Sequence, residues 1–437
     1  MRKPSFSIIT VRPRVTSLFS SSVIRGAASL YASTIVTSLL GFLFWLAAAK
    51  ILSPTDVGTA SAVQSASQLV ATVCLLGLGT LTIAEVAASK ERAKQLIAST
   101  SIVAAATAAL GALLMVYALR GLPGKLRLGL STWPQLLIFV LLTAATAASL
   151  LVDDAAIGLL RGNIQLTRNA VFAAAKLAIL PACVYGLTLG HGESIVLSWL
   201  FGALLSLLVA YCLLRSVGSE DDSWKPDFLD LVAKRRLIWS HHLLNVSILI
   251  PRLLAPVLVA AFVSPAANAG FTTALLITGF VSIIPSHLST ALFSLPPGDE
   301  HALAREARSS MRICLAISVF SAAFFIAFPR QLLSIFRGSY TSAAPALIIL
   351  GLTTFPNAVK AHYVAISRVT GKMTRASLLA SLGALGELLG VVLGVLAGDV
   401  TGVALGLLGA YTLEAALFSR TVRDGLRGPS VSDGAQP

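Results

Sequence analysis

The chain has 437 residues, of which 56% are hydrophobic and only 12% charged, and its mean hydropathy is +0.84. That composition excludes both a soluble globular domain and a disordered chain, and it predicts a polytopic membrane protein. The net charge of +14 is no sign of a nucleic-acid partner, because the basic residues gather in the turns between apolar runs, as membrane topology requires.

Apolar runs long enough to cross ~30 Å of hydrocarbon, at ~20 residues each, predict an all-α polytopic membrane protein of about twelve transmembrane helices. They lie near 26–50, 57–82, 96–118, 134–158, 169–189, 194–215, 239–262, 270–293, 311–329, 343–365, 376–397 and 401–419. Most of the 33 Lys and Arg fall in the tails and alternate turns on one side, which predicts a plasma (inner) membrane protein with both termini cytosolic. The expected organisation is a basic cytosolic tail (1–22), an N-terminal six-helix lobe (23–215), a cytosolic linker (216–237), a C-terminal six-helix lobe (238–420) and a flexible cytosolic tail (421–437). Linker residues Phe228, Leu229, Leu231 and Val232, followed by Lys234, Arg235 and Arg236, also suit an amphipathic helix on the inner leaflet.

In chain order, helix one ends in the turn ILSPTDVG, where Pro54 and Gly58 supply the break. The next helix is rich in small residues that allow close packing and carries Gln64 and Gln68, whose amides need partners within the bundle. Helices four and five flank LLRGNIQLTRN. Counting outward from Arg161 and Arg168 puts Asp154 and Lys176 at the same depth, about 11 Å in. A pair between Lys176 and Asp153 or Asp154 is therefore expected, either as a structural bridge or as a working site.

The seventh helix carries Arg252 between Pro251 and Pro256. A guanidinium at that depth is costly in lipid, so it is expected to face water or a partner. The turns around Ser53–Pro54 and Ser264–Pro265 match at an offset of 211. Six helices per half then imply parallel repeats, which bind substrate between the halves near the midplane. The same offset places Lys176 opposite Glu387. Glu387 lies about 18 Å deep, where an acid is paired or protonated and is a candidate for ion coupling. Lys360 is a cavity cation or snorkels to the interface; Glu414 is expected at the interface.

Enzyme motifs are absent: Gly371–Lys372 lacks the remainder of a phosphate loop, and the six His form no HExxH. The four Cys, Cys74, Cys183, Cys212 and Cys314, lack metal or disulfide spacing. The expectation is a transporter without ATPase motif, catalytic residue, metal or cofactor.

The succession LAAAKILSPTDVG, GLGT, VDDAAIGLLRGNIQLTRNAVFAAAKLAILP, PRLLAPVLVAAFVSP, AGF and IIPSHLSTALF resembles Wzx-type polysaccharide flippases of the multidrug/oligosaccharidyl-lipid/polysaccharide exporter (MOP) superfamily. The resemblance spans roughly residues 23–420 and implies two six-helix lobes around a central cavity. It implies flipping of an undecaprenyl-diphosphate-linked oligosaccharide from the inner to the outer leaflet during cell-surface polysaccharide synthesis. Arg252, Lys176, Lys360 and, at the entrance, Arg25 would be the cavity cations, with Glu387, Asp153 and Asp154 as ion-coupling or charge-pairing groups. The implied partners are the lipid-linked glycan, membrane lipids, and polysaccharide polymerase or assembly proteins, with no nucleic acid. MATE-like exporters, cation-coupled and carrying drugs or small molecules, share this plan and are the main alternative; a non-transporting envelope-assembly scaffold is a third.

Overall fold

The computed structural model describes residues 21–120, 130–186, 190–217, 223–228, 231, 239–292 and 299–427. Across them the chain is helix joined by short turns, because backbone polar groups in hydrocarbon must bond within their own segment. Nine described helices are long and apolar enough to cross a membrane, and a bent pair makes a tenth. Val36–Ile51 and Leu249–Val263 are shorter apolar stretches of the helices that open the two halves. The protein is multi-pass and all-α, with two lobes.

The first lobe comprises α1 (Ser21–Ile51), α2 (Pro54–Cys74), α3 (Leu78–Ala88), α4 (Ala93–Arg120), α5 (Trp133–Gly158), α6 (Gly162–Gly186) and α7 (His191–Leu214). The second comprises α8 (Trp239–Leu258), α9 (Pro265–Ala291), α10 (Glu300–Ala327), α11 (Pro329–Phe336), α12 (Ala344–Leu352), α13 (Thr354–Val369), α14 (Met373–Leu396) and α15 (Val400–Arg427). The lobes repeat one packing scheme. α1 lies on α6 as α8 lies on α14, α6 on α7 as α14 on α15, and α4 on α5 as α10 on α12 and α13.

The repeat keeps register in detail. α5 runs from Trp133 to Gly158 and α12–α13 from Ala344 to Val369, while α6 and α14 begin at Gly162 and Met373; each is displaced by the 211 residues that separate Ser61 from Thr272. Ser53 Oγ accepts from Asp56 N at 3.2 Å to cap α2, and Ser264 Oγ accepts from Ala267 N at 3.1 Å to cap α9. Serine at this position satisfies one of the amides that a helix start leaves unbonded.

The lobes close against each other at the end away from the basic turns. There a Cβ on Gly58 would stand 1.7 Å from the Pro265 carbonyl oxygen, so α2 and α9 approach as only glycine allows. Asn268 Nδ2 donates to Gly58 O at 2.8 Å and to Ser61 Oγ at 3.0 Å, while Thr272 Oγ1 lies 3.5 Å from Ser61 Oγ. α14 and α15 use the same device: a Cβ on Gly406 would meet Gly390 O at 2.0 Å.

Four features depart from an unbroken twelve-helix reading. α2 and α3 form one span bent by 57° at residues 75–77. The predicted helix at 343–365 is interrupted at Thr353, between α12 and α13. α11 lies where the sequence reads as loop; it buries Leu333 and Phe336 and exposes Arg330, Gln331 and Ser334, the pattern of an interfacial amphipathic helix. α8 continues through Pro251 and Pro256 and ends in a π turn, Val259–Val263. Since proline has no N–H, Pro256 leaves the Arg252 carbonyl without its helical donor.

Of the expected amphipathic linker, Leu231 is buried against Ala71, Leu78 and Leu81, Phe228 is exposed, and Asp227 N donates to Ser99 Oγ at 2.8 Å. Leu229, Val232, Lys234, Arg235 and Arg236 lie outside the described residues, as do residues 1–20, 121–129 and 428–437.

Candidate functional site

α2 carries two amides on one face, a turn apart, and Gln64 Nε2 donates to Gln68 Oε1 at 3.1 Å. Both line two cavities. The first, about 180 Å³, lies between the lobes: Trp45 comes from α1, Ser61 and Ser65 join the glutamines from α2, and Arg252, Pro256 and Thr272 come from α8 and α9. Arg252 is exposed to it and is the charged side chain of its lining. No ion pair among the described residues includes Arg252. Gly279 of α9 faces the guanidinium: a Cβ there would stand 3.5 Å from Arg252 Nη2, an ordinary contact.

The second cavity, also about 180 Å³, lies within the first lobe and is lined by Gln64, Ser67, Gln68, Thr146, Ser149, Asp153, Arg168, Asn169, Phe172 and Trp199. Asp153 takes both arms of Arg168, Nε to Oδ1 at 2.8 Å and Nη2 to Oδ2 at 2.6 Å. Arg168 Nη2 also donates to Asn169 Oδ1 at 2.6 Å. Such a two-pronged pair fixes geometry as well as charge. The Ser149 hydroxyl and the Trp199 indole N–H are buried and have no hydrogen-bond partner in the described structure, which is unusual for polar groups out of water.

This corrects the expected pairing of Lys176 with Asp153 or Asp154. The turn between α5 and α6 is only Leu159–Arg161, closed by Arg161 N donating to Ala156 O at 2.9 Å. Arg168 is thus two turns inside α6 and level with Asp153, while Lys176 is two further turns away. Gly162, the first residue of α6, is the sequence signal for this register. Asp154 packs at Gly79 of α3, where a Cβ would meet its Oδ2 at 2.2 Å.

Lys176, 4% exposed, is held by aromatic faces instead. Its ammonium lies 3.8 Å from the ring centre of Trp199, 4.6 Å from Phe172 and 4.9 Å from Phe44. Three quadrupoles around one cation offset part of its desolvation without a carboxylate.

Lys360, expected as a cavity cation or at the interface, is buried in an ion-paired cluster. Its Nζ bridges Glu387, by a short contact, and Glu414 Oε2 at 2.8 Å. Glu414, expected at the interface, has a side chain only 3% exposed, because α15 extends to Arg427, beyond the predicted end of its span. Tyr411 packs over this cluster, its ring centre 5.3 Å from Lys360 Nζ, and hydrogen-bonds Glu387. The cluster holds two carboxylates and one ammonium. Arg25 is in the first turns of α1, with its side chain outside the described residues. No group of three or more His, Cys, Asp or Glu suited to a metal occurs among the described residues.

Fold comparison places these features in known company. The chain is similar to an inward-facing multidrug resistance MATE family transporter of the MOP superfamily, with a TM-score of 0.64, 15% identity, and 93% of this chain and 96% of that chain covered. It is equally similar to an outward-facing one, with a TM-score of 0.64, 16% identity, and 94% and 97% covered. A MOP superfamily transporter from Pyrococcus furiosus Vc1, described as having a binding pocket of reverse polarity that suggests a different function, gives a TM-score of 0.64 at 16% identity, with 94% and 97% covered. No family model matches the chain, and no curated protein sequence matches it. The protein therefore shares the fold of these solved transporters.

Proposed function

We propose that the protein is a secondary transporter of MATE type, coupled to a cation and working by alternating access, whose cargo carries an anionic group. The observation that carries the cargo class is Arg252, facing a cavity between the lobes that has no acid in its lining. A guanidinium in a partly desolvated cavity attracts phosphate or carboxylate and repels a cationic drug. The exporter reading is supported by solved neighbours in inward- and outward-facing forms. Coupling is supported by the Lys360–Glu387–Glu414 cluster, where one carboxylate exceeds the ammonium and a proton or alkali ion would balance it.

A second reading is the flipping of an undecaprenyl-diphosphate-linked oligosaccharide across the plasma membrane. What favours it is the adjoining cavity, where Gln64, Gln68, Asn169, the unpartnered Ser149 hydroxyl and the Trp199 N–H offer partners to a hydroxyl-rich group. Diphosphate at Arg252 and sugar at the neighbouring cavity would share the two glutamines.

Proteoliposomes loaded with an anionic or a cationic fluorescent solute, under an imposed proton or sodium gradient, test the first reading. Gradient-dependent movement of the anionic solute, lost in Arg252→Ala, is expected; movement of the cationic solute alone overturns the cargo assignment. Deleting the gene tests the second, which requires loss of a surface glycan with accumulation of its lipid-linked precursor.

A further inference from the structure

A third cavity is larger than either of these. It holds about 600 Å³ at the basic end of the second lobe and is lined by α10, α13, α14, α15 and the turn before α14. Three cations from separate places converge on it: Lys372 from the turn, Arg375 from the first turn of α14 and Arg420 from α15. All three are exposed, and no ion pair among the described residues joins any of them to Glu300 or Asp424, the two acids of the same lining. The hydroxyl residues Tyr363, Ser367, Thr370 and Thr421 also line it.

One further observation points to an anion. Lys372, which precedes α14, makes no side-chain hydrogen bond to the first amides of this 24-residue helix, whose positive end stands beside Lys372 and Arg375. The rings of Tyr363 and Phe418 stack at 4.0 Å and 3°, one helical turn along α13 and α15 from Lys360 and Glu414. At the edge of the cavity stands Leu417, 66% exposed, with Leu413, 70% exposed, one turn further along the same helix face. An apolar strip in the hydrocarbon thus runs directly to the cations.

We propose that this cavity binds a phosphate-bearing group, its phosphate held by Lys372, Arg375, Arg420 and the first amides of α14. The adjoining leucines allow that group to be the headgroup of an anionic lipid whose chain lies along α15; the same cations would hold free phosphate. Such a ligand would tie α14 to α15, the helices that carry Glu387 and Glu414, and would stabilise the second lobe.

The test uses full-length protein, purified and delipidated, titrated with inorganic phosphate or reconstituted in phosphatidylcholine bilayers with and without phosphatidylglycerol. Thermal stability and retained lipid in native mass spectra are read. Stabilisation by phosphatidylglycerol alone identifies a lipid site, and stabilisation by inorganic phosphate as well identifies a phosphate site. Either effect should need about tenfold or more ligand in Arg375→Ala/Arg420→Ala, since two charge-assisted contacts to the phosphate are lost. Arg423→Ala/Arg427→Ala removes two charges from the same end of α15 outside the cavity and should respond as the parent does. No stabilisation by either probe, or equal responses from the two double variants, overturns the proposal.

Discussion

Lys176 and Glu387 occupy corresponding turns of α6 and α14, and the two lobes accommodate these opposite charges by unlike means. In the first lobe the ammonium is enclosed by Phe44, Phe172 and Trp199; in the second the carboxylate is bound by Lys360. At the position matching Lys360 the first lobe has Ser149, and at that matching Glu414 it has Ala203. Equivalent backbones thus carry buried charges at different positions, which a symmetric fold permits because each lobe packs largely within itself.

The cage makes Lys176 replaceable in stability. Cation–π contacts reach about 2 kcal/mol when desolvated, while burying the ammonium costs several kcal/mol. Lys176→Met, similar in length and apolar, is expected to leave the melting temperature in detergent unchanged or higher. Trp199→Ala should lose about 3–5 kcal/mol through the cavity it opens. A marked fall in melting temperature for Lys176→Met would show that the charge itself is needed for folding.

The Lys360 cluster should behave in the opposite way. Lys360→Met leaves Glu387 and Glu414 buried together without a cation, and breaking a buried ion pair from one side costs about 3–5 kcal/mol. Lys360→Met/Glu387→Gln/Glu414→Gln is expected to regain most of that stability while losing gradient-driven transport. Recovery of transport along with stability would remove this cluster from the coupling mechanism.

Much of the architecture is legible in the sequence because hydrocarbon imposes one rule on every span, and the offset of 211 follows from two similar Ser–Pro turns. Side-chain pairing is less legible, since it depends on where each turn sits. Taking Arg168 as the inner end of α6 misplaced Lys176 by two turns, whereas Gly162 marked the true start. The end of the apolar run suggests an interfacial Glu414, yet α15 continues as helix past it to Arg427. Trp199 carried no signal: an aromatic in an apolar helix looks the same whether it faces lipid, core or a lysine.

The correction of the hairpin makes a sharp contrast between adjacent acids. Asp153 receives both arms of Arg168, whose side chain is only 5% exposed, so Asp153→Asn is expected to destabilise by about 3–5 kcal/mol. Asp154 has no ion pair among the described residues, so Asp154→Asn should be near neutral. Urea or thermal unfolding of the two variants in the same detergent checks it; equal losses would indicate that Arg168 is shared by both acids.

Ser61 and Thr272 offer a direct test of lobe motion. Their hydroxyls are 3.5 Å apart across the pseudo-twofold contact of α2 and α9, close enough for cysteines at both positions to reach disulfide geometry with small adjustment. In a background lacking Cys74, Cys183, Cys212 and Cys314, Ser61→Cys/Thr272→Cys should oxidise to an intramolecular disulfide. Alternating access requires the lobes to part at this end in one half of the cycle, and a covalent link between α2 and α9 forbids that. Transport is therefore expected to stop on oxidation and return on reduction, with each single cysteine variant active throughout. Full transport by the cross-linked protein, with the bond confirmed by mass spectrometry, would mean that α2 and α9 move as one body and that the cavity at Arg252 opens by some route other than separation of the two lobes.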